Sequence, residues 1–375
     1  EYPQTVELGD RCVNMLARLF HAADHHASVG TATVGSSEAI HLAGLAMKWR
    51  WRKARQAAGL PDDRPNLVMG ANVQVCWEKF ARYWDVEARL VPMEGNRFNL
   101  SAEEAVKRVD ENTIGVIAIM GSTFDGSYEP VKEIARALDE LQSERGLDIP
   151  VHVDAASGGF VAPFLVPELE WDFRIERVQS INASGHKYGL VYPGVGWAVW
   201  RDKAALPEDL IFNVNYLGGN MPTFALNFSR PGSEVIAQYF MFMSLGREGY
   251  TATMRNLAQI ARHISSGVAE IGPYRLISDG GELPVFAFAL APEVRNYTVF
   301  DVSERLREGG WLVPAYSFPE NRQDLSVLRI VVRAGMHLEM ADHLLELLRH
   351  KTEILESLSG PLPEQVRSSA QAFAH

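Results

Sequence analysis

Short apolar runs alternate with longer helical stretches over the first two thirds of the chain, the signature of an α/β sheet joined by crossover helices. Residues 38–56 read as an Ala-rich helix without Pro, entered through Gly35-Ser36-Ser37. Residues 66–69 read as a strand, followed by a helix around 74–83 and a strand near 86–91. Ser101-Ala-Glu-Glu104 sets Ser and Glu three apart, a capping-box pattern that starts a helix running to about Val109. Residues 114–120 are almost continuously apolar and predict a buried strand. An amphipathic helix over 131–141 leads to a strand at 149–153, and short apolar runs follow at 178–181 and 195–200.

The texture changes near Arg255. A long helix at 257–271 precedes apolar runs at 274–277 and 285–290, a helix at 302–307, a run at 328–332 and a final helix at 340–355. Mixed helices and strands of this kind suggest a smaller α+β domain. The expected organisation is a large domain over 1–256, a small C-terminal domain over 257–360 and a polar, mobile tail over 361–375.

Composition narrows the function class. A formal charge of −11 argues against a nucleic-acid surface, which needs clustered Lys and Arg. Two cysteines, Cys12 and Cys76, make no disulfide framework and suit a reducing compartment. No apolar run approaches a membrane span and no signal peptide opens the chain, so a cytoplasmic location is expected. The chain opens on Glu1 rather than Met, so a further N-terminal piece is expected upstream.

The strongest local feature is Ser184-Gly-His-Lys-Tyr-Gly189, which follows a short strand. A Lys on a Gly-rich turn at a strand end is well placed to condense with an aldehyde. Taken alone, Lys187 would read as a surface lysine. Asp154 closes the apolar strand Val151-His-Val-Asp154, at the sheet edge where open α/β sheets bind ligands. Pyridoxal phosphate (PLP) requires such an acid beside its pyridine nitrogen, and Ala155 and Ala156 leave room for a flat ring. Ser36 and Ser37 at a helix start offer hydroxyls and free N–H groups to a phosphate, although plain N-capping would account for them equally. Ser184-Gly-His-Lys187 also fits the Ser-x-x-Lys pattern of penicillin-binding enzymes, but the companion Ser-Asp-Asn and Lys-Thr-Gly are absent. His21 and His25, with Asp24 and His26 nearby, lie at metal-ligand spacing; a solvated helix end explains them better, and no metal site is expected.

Residues 151–160 (VHVDAASGGF), 182–187 (NASGHK), 212–219 (FNVNYLGG) and 227–231 (NFSRP) together resemble bacterial and plant glutamate decarboxylases, members of the fold-type I, group II PLP-dependent amino-acid decarboxylases. The likeness runs from Glu1 to about Gly360. It implies a large domain with a mainly parallel seven-stranded sheet and a smaller α+β domain. It implies that Lys187 is the Schiff-base lysine and Asp154 the pyridinium partner, with Gln74 stacked over the ring and Ala156 beneath it. Ser36, Ser37, Ser184 and His186 would hold the phosphate, joined by Ser229 of the partner subunit. Thr123 would lie near the cofactor's phenolic oxygen and the substrate, and Arg329 would bind the substrate's α-carboxylate. Tyr216 of the partner subunit, or a His such as His186, would return a proton to the α-carbon.

The implied reaction is α-decarboxylation of L-glutamate to 4-aminobutanoate and CO2, in a homo-oligomer with the dimer as its minimal unit and the hexamer as an alternative. Another fold-type I PLP enzyme, acting on a different amino acid or as an aminotransferase, and a non-catalytic relative remain alternatives, because a Lys and Asp pair is general to the fold. Because one proton is consumed per turnover, a role in acid tolerance is a further expectation. Glu78 stands where close relatives carry His, and the Trp- and Lys-rich calmodulin target of plant relatives is missing from the tail. That points to the bacterial type, in some of which a C-terminal His, here His375, closes the site.

Overall fold

The computed structural model describes residues 2–24, 29–215, 219 and 221–358, and the chain divides into two units. The first comprises Glu1–Ser122 and Tyr128–Thr251. It begins with α1 (Pro3–Leu19), β1 (Val29–Thr33), α2 (Gly35–Ala57), β2 (Asn66–Gly70), α3 (Val75–Tyr83) and β3 (Glu87–Val91). It continues with α4 (Ala102–Val106), β4 (Thr113–Ile119), α5 (Val131–Arg145), β5 (Val151–Asp154), α6 (Ala162–Leu165), β6 (Val178–Ser184) and β7 (Gly196–Trp200). The hairpin strands β8 (Phe212–Val214) and β9 (Met221–Thr223) and the start of α7 (Ser233–Ala269) complete it.

Seven strands form one sheet in the order β1-β7-β6-β5-β4-β2-β3. Strands β2 to β6 are parallel, and β7 runs antiparallel to both β6 and β1. This is the mainly parallel seven-stranded architecture expected of the large domain. All seven residues of β4 are buried, which is why its sequence reads as an unbroken apolar run rather than an alternation. Helix α5 buries Val131, Ile134, Ala135 and Leu138, one face of a 3.6-residue repeat, and ends at Gly146 in the left-handed region.

The second unit comprises Thr123–Ser127 and the chain from Ala252. Besides the remainder of α7 it holds β10 (Tyr274–Leu276), β11 (Val285–Leu290), α8 (Val299–Glu308), β12 (Ala315–Ser317), β13 (Ser326–Val331) and α9 (Leu338–Glu356). Its strands form an antiparallel sheet in the order β10-β11-β13-β12, as a small α+β unit requires. Helix α8 opens with a full capping box between Thr298 and Asp301 and packs on α9.

Three local expectations differ from the structure. The helix capped by Ser101 stops at Val106, because the Asp110 carboxylate takes the Asn112 N–H at 2.8 Å and turns the chain towards β4. Helix α7 begins at Ser233 rather than near 257, interrupted only by the non-helical Gly246. Strand β1, only half buried, carries too little apolar pattern to announce itself. Residues 361–375, with His375, lie outside the described residues. Among the described residues no helix is long and apolar enough to cross a membrane.

The sheet edge that carries Asp154 is tied down by a buried acid. Glu129 is 3% exposed and accepts from Ile119 N at 2.7 Å, Leu100 N at 2.8 Å and Asn72 Nδ2 at 3.0 Å. Glu129→Ala leaves those donors buried without their acceptor, and chemical denaturation should show a loss of about 3 kcal/mol of stability.

Candidate active site

The parallel register of β5 on β6 pairs His152 with Ser180 and Asp154 with Asn182. Strand alternation puts residues 152 and 154 on one face and 180, 182 and 184 likewise, so polar side chains line up inside an otherwise apolar sheet. Asp154 is 6% exposed, and its carboxylate accepts from three protein donors. Trp77 Nε1 reaches Oδ2 at 2.9 Å, while Asn182 Nδ2 at 2.9 Å and Ala156 N at 3.1 Å reach Oδ1.

A carboxylate only accepts, so the Asn182 amide must turn its NH2 to Asp154 and its oxygen to His152. His152 Nε2 meets that oxygen at 2.8 Å and is therefore the protonated ring nitrogen; Nδ1 then accepts from Ser180 Oγ at 2.7 Å. Complete burial lowers the His152 pKa to about 4 against the opposing pull of the Asp154 charge, so the ring stays neutral. Each donor and acceptor in this chain thus has one assigned direction.

The donors on Asp154 are all uncharged. A carboxylate has about four acceptor positions, and three are filled here, leaving one for an N–H from a ligand. That is the chemistry a pyridinium nitrogen needs, and the small Ala155 and Ala156 beside it leave space for a ring. Cys76 lies close enough for its thiol to feel the charges of both Asp154 and Lys187, although burial first of all pushes its pKa up to about 12. It is an inert, protonated thiol. Gln74, just before it, caps α3 by accepting the Cys76 N–H at 2.7 Å.

Lys187 sits in the loop after β6, one strand over from Asp154, with Nζ donating to Ser157 Oγ at 3.1 Å. The side chain is exposed. At the base of the same loop Ser184 Oγ lies 2.6 Å from Ser36 Oγ, in the first turn of α2. Val34 caps α2 without a side-chain bond, so Ser36 and Ser37 are not cap residues. Gly35 has φ 75°, and a Cβ on Gly196 would lie 2.6 Å from Ser36 N; close backbone packing on β7 fixes where α2 begins. Hydroxyls and free N–H groups at the positive end of a 23-residue helix suit a phosphate.

Glu38 secures this corner from inside. Its carboxylate accepts from Val34 N at 2.6 Å and from Leu226 N at 2.9 Å, joining the start of α2 to the segment before Ser229. Arg230 then bonds Thr31 Oγ1 at 3.1 Å. Ser229 itself is exposed, with φ 63°.

Asp154, Ala156, Ser184, Lys187 and Ser36 are thus linked by bonds or adjacency in the first unit, with Ser37 and His186 next to linked residues. Thr123 and Arg329 belong to the second unit, where the Arg329 guanidinium donates through Nη1 to the Thr123 carbonyl and lies 5.5 Å from the centre of the Tyr316 ring. Arg329 Nε is buried with no hydrogen-bond partner among the described residues. Tyr216 lies outside the described residues, as do His25 and His26. His21 bonds Asp172 at 2.8 Å, and among the described residues no cluster of three potential metal ligands occurs.

Trp77, Asn182, His152 and Ser157 escaped assignment from sequence. The signal for two of them was there: polar residues at alternate positions of apolar strands, His152 with Asp154 and Ser180 with Asn182. Trp77 gave none, because an indole in an amphipathic helix reads as core.

The family described as the pyridoxal-dependent decarboxylase conserved domain matches residues 1–291. A glutamate decarboxylase of Aliivibrio fischeri is 54% identical over 355 residues, covering 94% of this chain and 76% of that protein. Glutamate decarboxylase 5 of Arabidopsis thaliana is 50% identical, covering 100% of this chain and 75% of its own length. Among solved structures, a Lactobacillus brevis glutamate decarboxylase superposes with a TM-score of 0.92 at 44% identity, covering 96% of this chain and 82% of that one.

The neutrality of His152 has a consequence in acid. Its folded pKa lies below the unfolded value, so only the unfolded chain takes up the proton between pH 6.5 and about 4. Stability is therefore lost as pH falls through that window, by about 1.4 kcal/mol per pH unit from this residue. Urea titrations across that range should show a shallower acid-side loss for His152→Gln, whose amide stays neutral throughout.

Proposed function

The chain belongs to the pyridoxal-dependent decarboxylase family, and from that premise we propose that it is a PLP-dependent carboxy-lyase converting L-glutamate to 4-aminobutanoate and CO2, with Lys187 as its cofactor lysine. The observation that carries the reading is Asp154, a buried carboxylate with three neutral donors and one position open, a strand away from a lysine amine. Relatives bearing the name glutamate decarboxylase at 50–54% identity supply the substrate.

PLP supplies the electron sink for the pair left behind when the bond to the α-carboxylate breaks. The chain's own groups do the rest. Lys187 Nζ would hold the cofactor through its aldehyde carbon. Asp154 keeps a proton on the ring nitrogen, and Trp77 and Asn182 hold that carboxylate in place. Ser36, Ser37, Ser184 and His186 would take the phosphate with Ser229 of the partner subunit, and Gln74 and Ala156 would flank the ring. Arg329 would bind the substrate's α-carboxylate, because its buried Nε–H, without a partner among the described residues, gains a charge-assisted bond from such a ligand. Thr123, bonded to that arginine, lies beside the substrate. Tyr216 of the partner subunit, or His186, delivers the proton that completes the product.

Homo-oligomerisation is part of the proposal. Ile236, Phe240 and Met243 form an exposed apolar stripe at helical spacing on α7, and Phe212, Leu226 and Phe228 are exposed in the segment before it. A cytoplasmic location agrees with Cys12 and Cys76, which are both free and buried.

Two experiments test these readings. Borohydride treatment of the yellow holoprotein should fix the cofactor on the peptide containing Lys187, and glutamate should release CO2 with 4-aminobutanoate as product. Lys187→Ala should lower turnover by at least about 1,000-fold, consistent with loss of the covalent step. A keto-acid product, or CO2 from another amino acid and none from glutamate, overturns the assignment. Light scattering on Phe240→Asp should show a smaller particle than the parent, and an unchanged mass counts against the apolar stripe as the subunit interface.

A further inference from the structure

The glycines that bracket Lys187 have a cause in the packing beneath them. Gln238 of α7 is fully buried, and its amide lies against the loop backbone. A Cβ on Gly185 would lie 2.6 Å from Gln238 Oε1, and one on Gly189 would lie 2.8 Å from the same atom. Gln238 Nε2 donates to the Gly189 carbonyl at 2.9 Å. The Tyr250 hydroxyl donates to that carbonyl at 2.9 Å as well, and the two side chains are 3.2 Å apart. Both lone pairs of one loop carbonyl are therefore held from α7. Tyr250 is itself fixed by stacking on Phe164, with ring centres 5.3 Å apart and planes 15° from parallel.

Two residues twelve apart do not meet on a regular helix. Twelve residues at about 1.5 Å each separate them by roughly 18 Å along the axis and turn them by roughly 120°. They meet here because Gly246 has φ 54° and ψ −166°, which breaks α7 between them. That conformation is essentially closed to residues with a Cβ. Gly246 is exposed, and no atom lies within 4 Å of where its Cβ would be, so only backbone geometry acts at that position.

We propose that Gln238, Tyr250 and the Gly246 break form a mount that sets the position of Lys187 through the Gly189 carbonyl. They are positioning residues, since none touches the lysine amine. The catalytic consequence rests on the reading of Lys187 as the cofactor lysine; the mount itself belongs to the protein with or without cofactor. The Lys187 side chain is exposed and donates to Ser157, and the backbone beneath it is one restraint on its reach.

The test compares Tyr250→Phe, which keeps the stacked ring, with Gly246→Ala, whose methyl group meets no neighbouring side chain and acts only by disfavouring the break. In apoprotein, amide hydrogen exchange over residues 185–191 should rise about tenfold in both, the effect of roughly one lost hydrogen bond, while exchange over 151–154 stays unchanged. In the same variants PLP should attach to apoprotein about tenfold more slowly, and kcat should fall with KM little altered. Unchanged exchange over 185–191 in Tyr250→Phe overturns the mount, whether or not Gly246→Ala yields folded protein. A loosened loop together with borohydride label on a residue other than Lys187 would leave the mount standing and remove the cofactor reading instead.

Discussion

A carboxylate withdrawn from water must find its hydrogen bonds in the protein, and at Asp154 that requirement organises the surrounding architecture. The donors come from places far apart in sequence: the indole of Trp77 on α3, the amide of Asn182 on β6, and the backbone N–H of Ala156. None carries a formal charge, so the acid's charge is solvated by the protein and left uncompensated by an ion pair. In the proposed function a pyridinium would supply that compensation at the remaining acceptor position. Behind Asn182, His152 and Ser180 fix the direction of the amide, so the polarity of the network is set three residues deep.

The same economy of direction appears at the other end of the site. The cap residue of helix α2 lacks a side-chain acceptor for the first-turn N–H groups, while Glu38 satisfies Val34 N from within the helix. That leaves Ser36 free to meet Ser184, so the helix start and the Lys187 loop share one hydroxyl contact. Glu38 also binds the backbone of Leu226, which places the segment leading to Ser229 under the control of the same corner. A change in this helix start would therefore be felt in the lysine loop and in the segment proposed to face a partner subunit.

The sequence by itself determined the class of fold and singled out Lys187 and Asp154 as candidates. Periodicity of 3.6 in α5 and the unbroken apolar run of β4 are local signals, since each depends on neighbours a few residues away. Asp154 at a strand end was a local signal of the same kind, whereas Lys187, alone a surface lysine, gained its weight from Asp154, from the Ser36–Ser37 pair and from the motifs that carry the family. Arg329 and Thr123 were legible only as members of that family; their mutual bond belongs to the tertiary structure.

What only the tertiary structure decided is why those local features take the form they do. The β5–β6 register, with its shift between Val151 and His152, chooses which polar side chains face each other, and no stretch of sequence encodes a register alone. Trp77 reads as core in its own helix and becomes an acid's donor only when α3 packs beside β5. Gly185 and Gly189 read only as a Gly-rich turn around a lysine; in the structure they are the clearance that the Gln238 amide requires, and the break at Gly246 is what brings Tyr250 to the same carbonyl. Local sequence fixes conformational preference over a few residues, whereas these contacts join positions about 50 to 80 apart, whose meeting depends on how the whole sheet and its helices pack.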